Sequence, residues 1–225
     1  MKHFSSPTPI SYLDHDAIRR HCHRPYDTID AMNEAIVSTW NSIVDSKDTV
    51  YIVGDFAFRN HRKWVNELKG KKILIVGNHD HMPQDVLDLF KPDWKCDDVM
   101  VRDAIKTMVQ FREVHQQLDR VICGQRMTLN HYPMRSWASS VHGAWMVHGH
   151  CHRRMKCSLP GEIGGGLILD VGWDVWRKPI SFDIVKAEMD KKLALMPQNF
   201  RDHVLRGKPL GRIENNEAGD ANVED

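Results

Sequence analysis

The chain has no Cys-x-x-Cys pair, no apolar run of membrane length and almost no charge imbalance. Each absence removes a class of function. Its five cysteines, Cys22, Cys96, Cys123, Cys151 and Cys157, are scattered, which excludes a four-cysteine structural zinc site. An odd count, with no secretory leader in "MKHFSSPTPI", predicts reduced thiols in a cytoplasmic protein. No stretch approaches the roughly 20 apolar residues of a membrane span. Lys plus Arg number 31 against 30 for Asp plus Glu, so global charge gives no reason to prefer nucleic acid as a partner, although it leaves one open. There is no internal repeat and no long linker. The 225 residues therefore read as one domain over 1–213, followed by an acidic tail, 214–225, with too little to bury to be ordered.

What is present is a set of short apolar runs. Residues 27–44, "DTIDAMNEAIVSTWNSIV", carry Ile29, Met32, Ile36, Trp40 and Ile43 at helical spacing, with Thr28 or Asp30 as cap. "TVYIV" (49–53) and "KILIV" (72–76) read as strands around a helix in "HRKWVNELKG" closed by Gly70. "MPQDVLDLF" predicts another helix, and 91–118 is ambiguous. "RVIC" and "RMTLNH" read as a hairpin, and "AWMVHG", "GLILDV" and "KPISFDIV" as three further strands.

Four of these runs deliver a polar side chain at their carboxyl end, the end where α/β sheets bind ligands. Gly54-Asp55 follows "TVYIV", Gly77-Asn78-His79-Asp80 follows "KILIV", His131-Tyr132-Pro133 follows "RMTLN", and His148-Gly149-His150-Cys151-His152 follows "AWMV". Each motif alone is an ordinary turn; their joint occurrence points to a metal centre. Carboxylate, amide and imidazole ligands suit Mn²⁺, with Fe, Zn²⁺, Ni or Co as alternatives. An asparagine is a poor ligand for a structural zinc, so Asn78 favours catalysis. Two cations about 3.5–4 Å apart clamp a phosphoryl group and acidify a bound water.

With "GDFAF", "GNHD", "HYP" and "HGHCH" in this order, the chain resembles the calcineurin-like metallophosphoesterases, most of all their small bacterial and phage members. The resemblance runs from "HDAIRRHCHRPYDTIDAMNEAI" to "LDVGWDVWRKPIS". It implies an α+β fold, a four-layer α/β/β/α sandwich with two mixed sheets. It also implies hydrolysis of a phosphomonoester or phosphodiester by metal-activated water. Asp55 is then the bridging ligand, Asn78, His131 and His150 complete the second metal, and His152 serves the first. His79 acts at the leaving group with Asp80 orienting it, and His148 and Cys151 are bystanders. His142 and Arg135 are expected to line the substrate pocket, and Arg59, Arg153 and Arg154 to lie near phosphate oxygens.

One motif is absent. The family's opening strand ends in Asp-x-His, which supplies two ligands to the first metal. Here the stretch is "HFSSPTPISYLDHD", with Ile10 and Tyr12, or Pro7 and Pro9, at the ligand positions. Asp14, His15 and Asp16 are substitutes, or else a plain helix start. Two readings follow: an enzyme, impaired or mononuclear because the first shell is broken, or a degenerate member serving as a binding or scaffold module.

Overall fold

The computed structural model describes residues 5–7, 13–80, 110–154 and 166–206. The expected helix at 82–90 and the tail at 214–225 lie outside them. Among the described residues eight strands form two four-stranded sheets in chain order. The first sheet is β1 (Ser5–Pro7), β2 (Thr49–Val53), β3 (Lys71–Ile75) and β4 (Glu113–His115); the second is β5 (Gln117–Ile122), β6 (Gln125–Asn130), β7 (Trp145–His148) and β8 (Ile168–Asp170). The helices among the described residues are α1 (Asp16–His21), α2 (Ile29–Ile43), α3 (His61–Glu67), α4 (Trp173–Trp176), α5 (Phe182–Ala194) and α6 (Gln198–Arg206).

The expected four-layer α/β/β/α sandwich with two mixed sheets is corrected by this arrangement. Every pairing in the first sheet is parallel. In the second, only β5 and β6 run antiparallel, because they alone are joined by a tight turn, Cys123-Gly124, with both residues at positive φ. β6, β7 and β8 pair in parallel, as crossover connections require. The described helices are few, and α1, α3 and α4 span only six, seven and four residues, too short to tile a sheet face. Among the described residues the result is a stack of sheets whose strands pair in parallel everywhere but at β5–β6, without complete helical layers.

Alternation along the strands explains the stacking. Tyr51, Val53, Ile73 and Ile75 face the second sheet and share a core with Leu118, Met127, Leu129 and Val147. Val50, Ile52 and Leu74 point the other way, into a core with Met32, Ile36 and Trp40 of α2 and Trp64 of α3. Those three α2 residues recur at i, i+4 and are fully buried; each contributes about 1.5–3 kcal/mol by leaving water. The helix starts where Thr28 accepts a hydrogen bond from Ala31 N.

One expected strand is a helix. "KPISFDIV" alternates apolar residues, but Ser181 accepts from Ile184 N and caps α5. Val185 and Met189, four apart, are then buried, so the 3.6-residue period wins over the shorter alternation. Gly70, at φ +89°, turns the chain into β3, three residues after α3 ends at Glu67.

Candidate metal centre

The exits of β2, β3, β6 and β7 meet at one place. Asp55 is fully buried and His131 is 1% exposed, while Asn78 and His150 lie nearer the surface. The ligand atoms of Asp55, His131 and His150 all lie within 4.8 Å of one another. Asn78 joins them through its Oδ1, 2.9 Å from His131 Nε2 and 3.1 Å from His150 Nδ1. His131 Nε2 is also 3.1 Å from Asp55 Oδ2 and 3.2 Å from His150 Nδ1.

The donor and acceptor roles in this group are informative. His131 Nδ1 lies 3.0 Å from the Val53 carbonyl, which can only accept, so that nitrogen carries the ring proton. In the neutral ring Nε2 is then a lone-pair atom, and it faces two further lone-pair atoms, Asp55 Oδ2 and Asn78 Oδ1. A proton on Nε2 serves one such contact at a time, whereas a cation between them serves all four residues. Burial is the largest influence and works against a charged His131, but the bond to and charge of Asp55, the Val53 carbonyl and Asp80 together outweigh it and the ring's pKa is raised. His150 is lowered, by burial first and then by His131. An oxygen–nitrogen set of this kind fits a divalent transition ion.

The backbone is built around the group. Asp55, His150 and His152 occupy the left-handed region, at φ 54°, 63° and 44°, each costing roughly 1–2 kcal/mol for a non-glycine residue. Gly54 and Gly77 are required by contact: a Cβ on Gly54 would lie 2.1 Å from His131 Nδ1, and one on Gly77 2.4 Å from Asp55 N and Oδ1. Asp80 ties the loops together. Its carboxylate accepts from the backbone N–H of Gly77 at 2.7 Å, Asp55 at 2.8 Å and Phe56 at 2.6 Å. Burial pushes its pKa up to about 7 despite these bonds. The sequence reading set Asp80 behind the His79 ring; these three bonds are to backbone. His79 N donates to Asp55 Oδ1 at 2.7 Å, and its ring lies 5.7 Å, edge-on, from that of His15. His15 caps α1 through Ile18 N and rests against Phe58 at 4.3 Å.

Other expected residues lie elsewhere. His152 is bonded through Nδ1 to Asp174 at 2.7 Å, in a group with Cys22. Asp174 also takes a bidentate pair from Arg24, at 2.8 Å on each oxygen. Burial works to raise its pKa, but His152 and Arg24 hold it well below the carboxylate range. Burial raises the Cys22 thiol. His142 sits in a 3₁₀ turn, 3.0 Å from His203 of α6. Arg135 borders a cavity of about 360 Å³ with Trp137, Gly166 and Phe200, which none of Asp55, Asn78, His131 and His150 lines. Arg59 lies over the Phe58 ring, and Arg154 bonds to His21. Asp14 accepts from Asn60, and Asp16 pairs with Arg19 and Arg20. His148 is buried with its Nδ1 on the Gly149 carbonyl, its pKa lowered to about 4 by burial. The register pairs Pro7 with Tyr51; residues 8–12, including Pro9, Ile10 and Tyr12, lie outside the described residues. Sequence reasoning missed Arg24 and Asp174. The available signal was an acid set between two tryptophans in "GWDVW".

Comparison with known proteins gives a fold and no activity. No protein-family model matches the chain. It is 25% identical over 187 residues to the uncharacterized protein MJ1445 of Methanocaldococcus jannaschii, covering 80% of this chain and 88% of that one. It is 26% identical over 181 residues to the gene 66 protein of Mycobacterium phage L5, covering 70% and 80% respectively. The crystal structure of AQ665 from Aquifex aeolicus, a protein of unknown function, superposes with a TM-score of 0.57 at 19% identity. That match covers 84% of this chain and 99% of the other, and it shows a shared fold only. Among the described residues no helix is long and apolar enough to cross a membrane.

Proposed function

We propose that the protein is a metal-dependent phosphoesterase, as its resemblance to the metallophosphoesterases implies, acting on a phosphomonoester or phosphodiester in the reducing setting of the cytoplasm. The observation that carries the reading is the convergence of lone-pair atoms from Asp55, Asn78, His131 and His150, with the His79 backbone N–H on Asp55 Oδ1. Those four residues would hold a divalent ion, Mn²⁺ first among candidates, which would supply charge neutralisation for a phosphoryl group and acidification of a bound water.

The chain's own residues supply the rest. Asp80 fixes the two loops that carry Asp55 and Asn78. The His79 backbone N–H on Asp55 Oδ1 holds that carboxylate and sets the imidazole at the rim, where it donates a proton to the departing oxygen. The rings of His15 and Phe58 lie 5.7 and 6.4 Å from that of His79.

The test is Mn²⁺-dependent hydrolysis of bis-p-nitrophenyl phosphate by the whole chain. His79→Ala is expected to keep metal binding and to slow turnover by about 10²–10⁴; His131→Ala is expected to lose the metal. Equal turnover in His79→Ala removes that residue from the mechanism. The binding-module reading is favoured by one feature, the lack of an Asp-x-His pair in the opening stretch. Tight metal binding with no hydrolysis in the parent protein selects it.

A further inference from the structure

The near balance of charge along the chain conceals an uneven distribution. Five of the 30 acidic residues fall in 214–225, which holds no lysine or arginine, so 1–213 carries a clear positive excess. Part of that excess stands on the loops that carry the metal-centre residues. Arg153 and Arg154 follow His152 directly and are exposed. The Arg153 backbone is tied in place, at φ 66° with its N–H on the Asp170 carboxylate, so its side chain leaves from a fixed point. Arg154 Nη2 donates to Nε2 of His21, an exposed imidazole at the end of α1. A ring nitrogen that accepts belongs to a neutral imidazole, which does nothing to offset the guanidinium. Asp174, the carboxylate bonded to His152, is buried and already holds Arg24. On the His79 side, Arg59 is exposed and lies 5.7 Å over the Phe58 ring.

Beside the candidate ligands stands an exposed aromatic. Tyr132 is 47% exposed, although its ring lies 4.6 Å from that of His150 and 5.0 Å from that of His131. Its backbone N–H donates to Asn130 Oδ1 at 2.9 Å and fixes the turn out of β6. Close to half of the residue is in water, so the ring offers surface to a planar group. A phosphomonoester of a small alcohol uses neither that surface nor several guanidinium groups. An unpaired nucleic-acid strand uses both: guanidinium forks match phosphate oxygens, and stacking on aromatic rings accompanies a basic surface where bases are unpaired. A duplex keeps its bases stacked on one another and has no use for the tyrosine.

We propose that the substrate is single-stranded nucleic acid, with Tyr132 stacked on a base beside the scissile phosphate and Arg59, Arg153 and Arg154 on flanking phosphates. This substrate class rests on the phosphoesterase reading and deepens it. Hydrolysis of one linkage adds the elements of water across a P–O bond. One fragment keeps the phosphate as a monoester, and the other leaves as an alcohol that takes the proton.

The experiment measures binding of a fluorescein-labelled oligothymidylate to the full-length protein by anisotropy over a range of salt, with chelator present so that binding is read without turnover. Hydrolysis of the oligonucleotide and of bis-p-nitrophenyl phosphate with Mn²⁺ is followed in parallel. Affinity is expected to fall with salt, and Arg59→Ala, Arg153→Ala and Arg154→Ala each to lower the slope of log K against log salt by about 0.7. Tyr132→Ala is expected to weaken binding at least about fivefold at unchanged slope, and Tyr132→Phe to restore it. Lys186→Ala, on α5 and paired with Asp190, should bind as the parent does. No binding at low salt in a parent that hydrolyses the small diester overturns the proposal and leaves the phosphoesterase reading standing. Binding that the arginine variants and Tyr132→Ala leave intact overturns it too, as does a duplex bound equally tightly with Tyr132→Ala without effect. Binding with the expected variant pattern and no Mn²⁺-dependent hydrolysis of either compound overturns the phosphoesterase reading and keeps the strand-binding surface.

Discussion

Gly77→Ala tests whether Asp55 is a ligand without touching a ligand side chain. The added Cβ would sit 2.4 Å from Asp55 N, 2.4 Å from Oδ1 and 2.9 Å from Cγ. Ordinary contact begins at 3.4 Å, so Asp55 must retreat by about 1 Å, or the β3 exit must. Neither has room: Asp55 is fully buried, and Asp80 bonds both backbones, at 2.8 Å to Asp55 N and 2.7 Å to Gly77 N. Overpacking of this kind costs about 1–3 kcal/mol. Metal ligation tolerates only about 0.2 Å of error in ligand distance, so Mn²⁺ affinity should fall at least as far as for lost supporting residues, about 10–100-fold. Gly124→Ala is the matched control. Unlike Gly77 it has a positive φ, +82°, but nothing lies within 4 Å of the added Cβ; it should lose about 1–2 kcal/mol from strain and keep its Mn²⁺ affinity. Calorimetric titration of both variants, with thermal melts alongside, separates the two effects. A folded Gly77→Ala protein binding Mn²⁺ within twofold of the parent refutes the placement of Asp55 in the metal shell.

Three further outcomes follow from other parts of the fold. Asp80→Asn sets an NH₂ group against backbone N–H groups now bonded to an oxygen; a loss of about 2–3 kcal/mol is expected in denaturant unfolding, and a loss below 0.5 kcal/mol would show that the three bonds contribute little. Lys72, whose Nζ donates to the Leu68 and Gly70 carbonyls, has its pKa lowered by burial to about 8. The folded chain then sheds this proton before the unfolded one does, so stability rises from pH 8 toward 10.5, by about 2 kcal/mol after discounting for solvent screening; in Lys72→Met that rise should vanish from the pH dependence of unfolding. Glu113 is held down to about 2 by its bond from Arg120 and then by His115. Its contribution is complete above about pH 4.5 and disappears as pH falls toward 2, so Glu113→Gln should cost about 1 kcal/mol at pH 7 and nothing at pH 2, and an equal cost at both pH values would remove the ionic origin.

The two groups near the centre differ in how they are written in the chain. Asp55, Asn78, His131 and His150 each follow an apolar strand by one to three positions, and a parallel strand delivers its exit to a common edge. Reading the runs therefore located all four. Arg24 and Asp174 lie 150 residues apart, one just beyond a short helix and the other inside a four-residue helix. Neither stands in a periodic pattern, and a buried ion pair between distant loops has no local signature. Sheet pairing was hidden for the same reason. "TVYIV" reads identically whether its neighbour runs parallel or antiparallel, and only the connection decides, as the Cys123-Gly124 turn does for β5 and β6. "KPISFDIV" shows the limit at shorter range: its alternation at Ile180, Phe182 and Ile184 is genuine, but Ser181 as cap and the burial of Val185 and Met189 stabilise a helix of 13 residues. A local pattern thus reports which side chain leaves a strand and where. What that side chain meets is set by pieces of chain that carry no such pattern, as the bond from His152 to Asp174 shows.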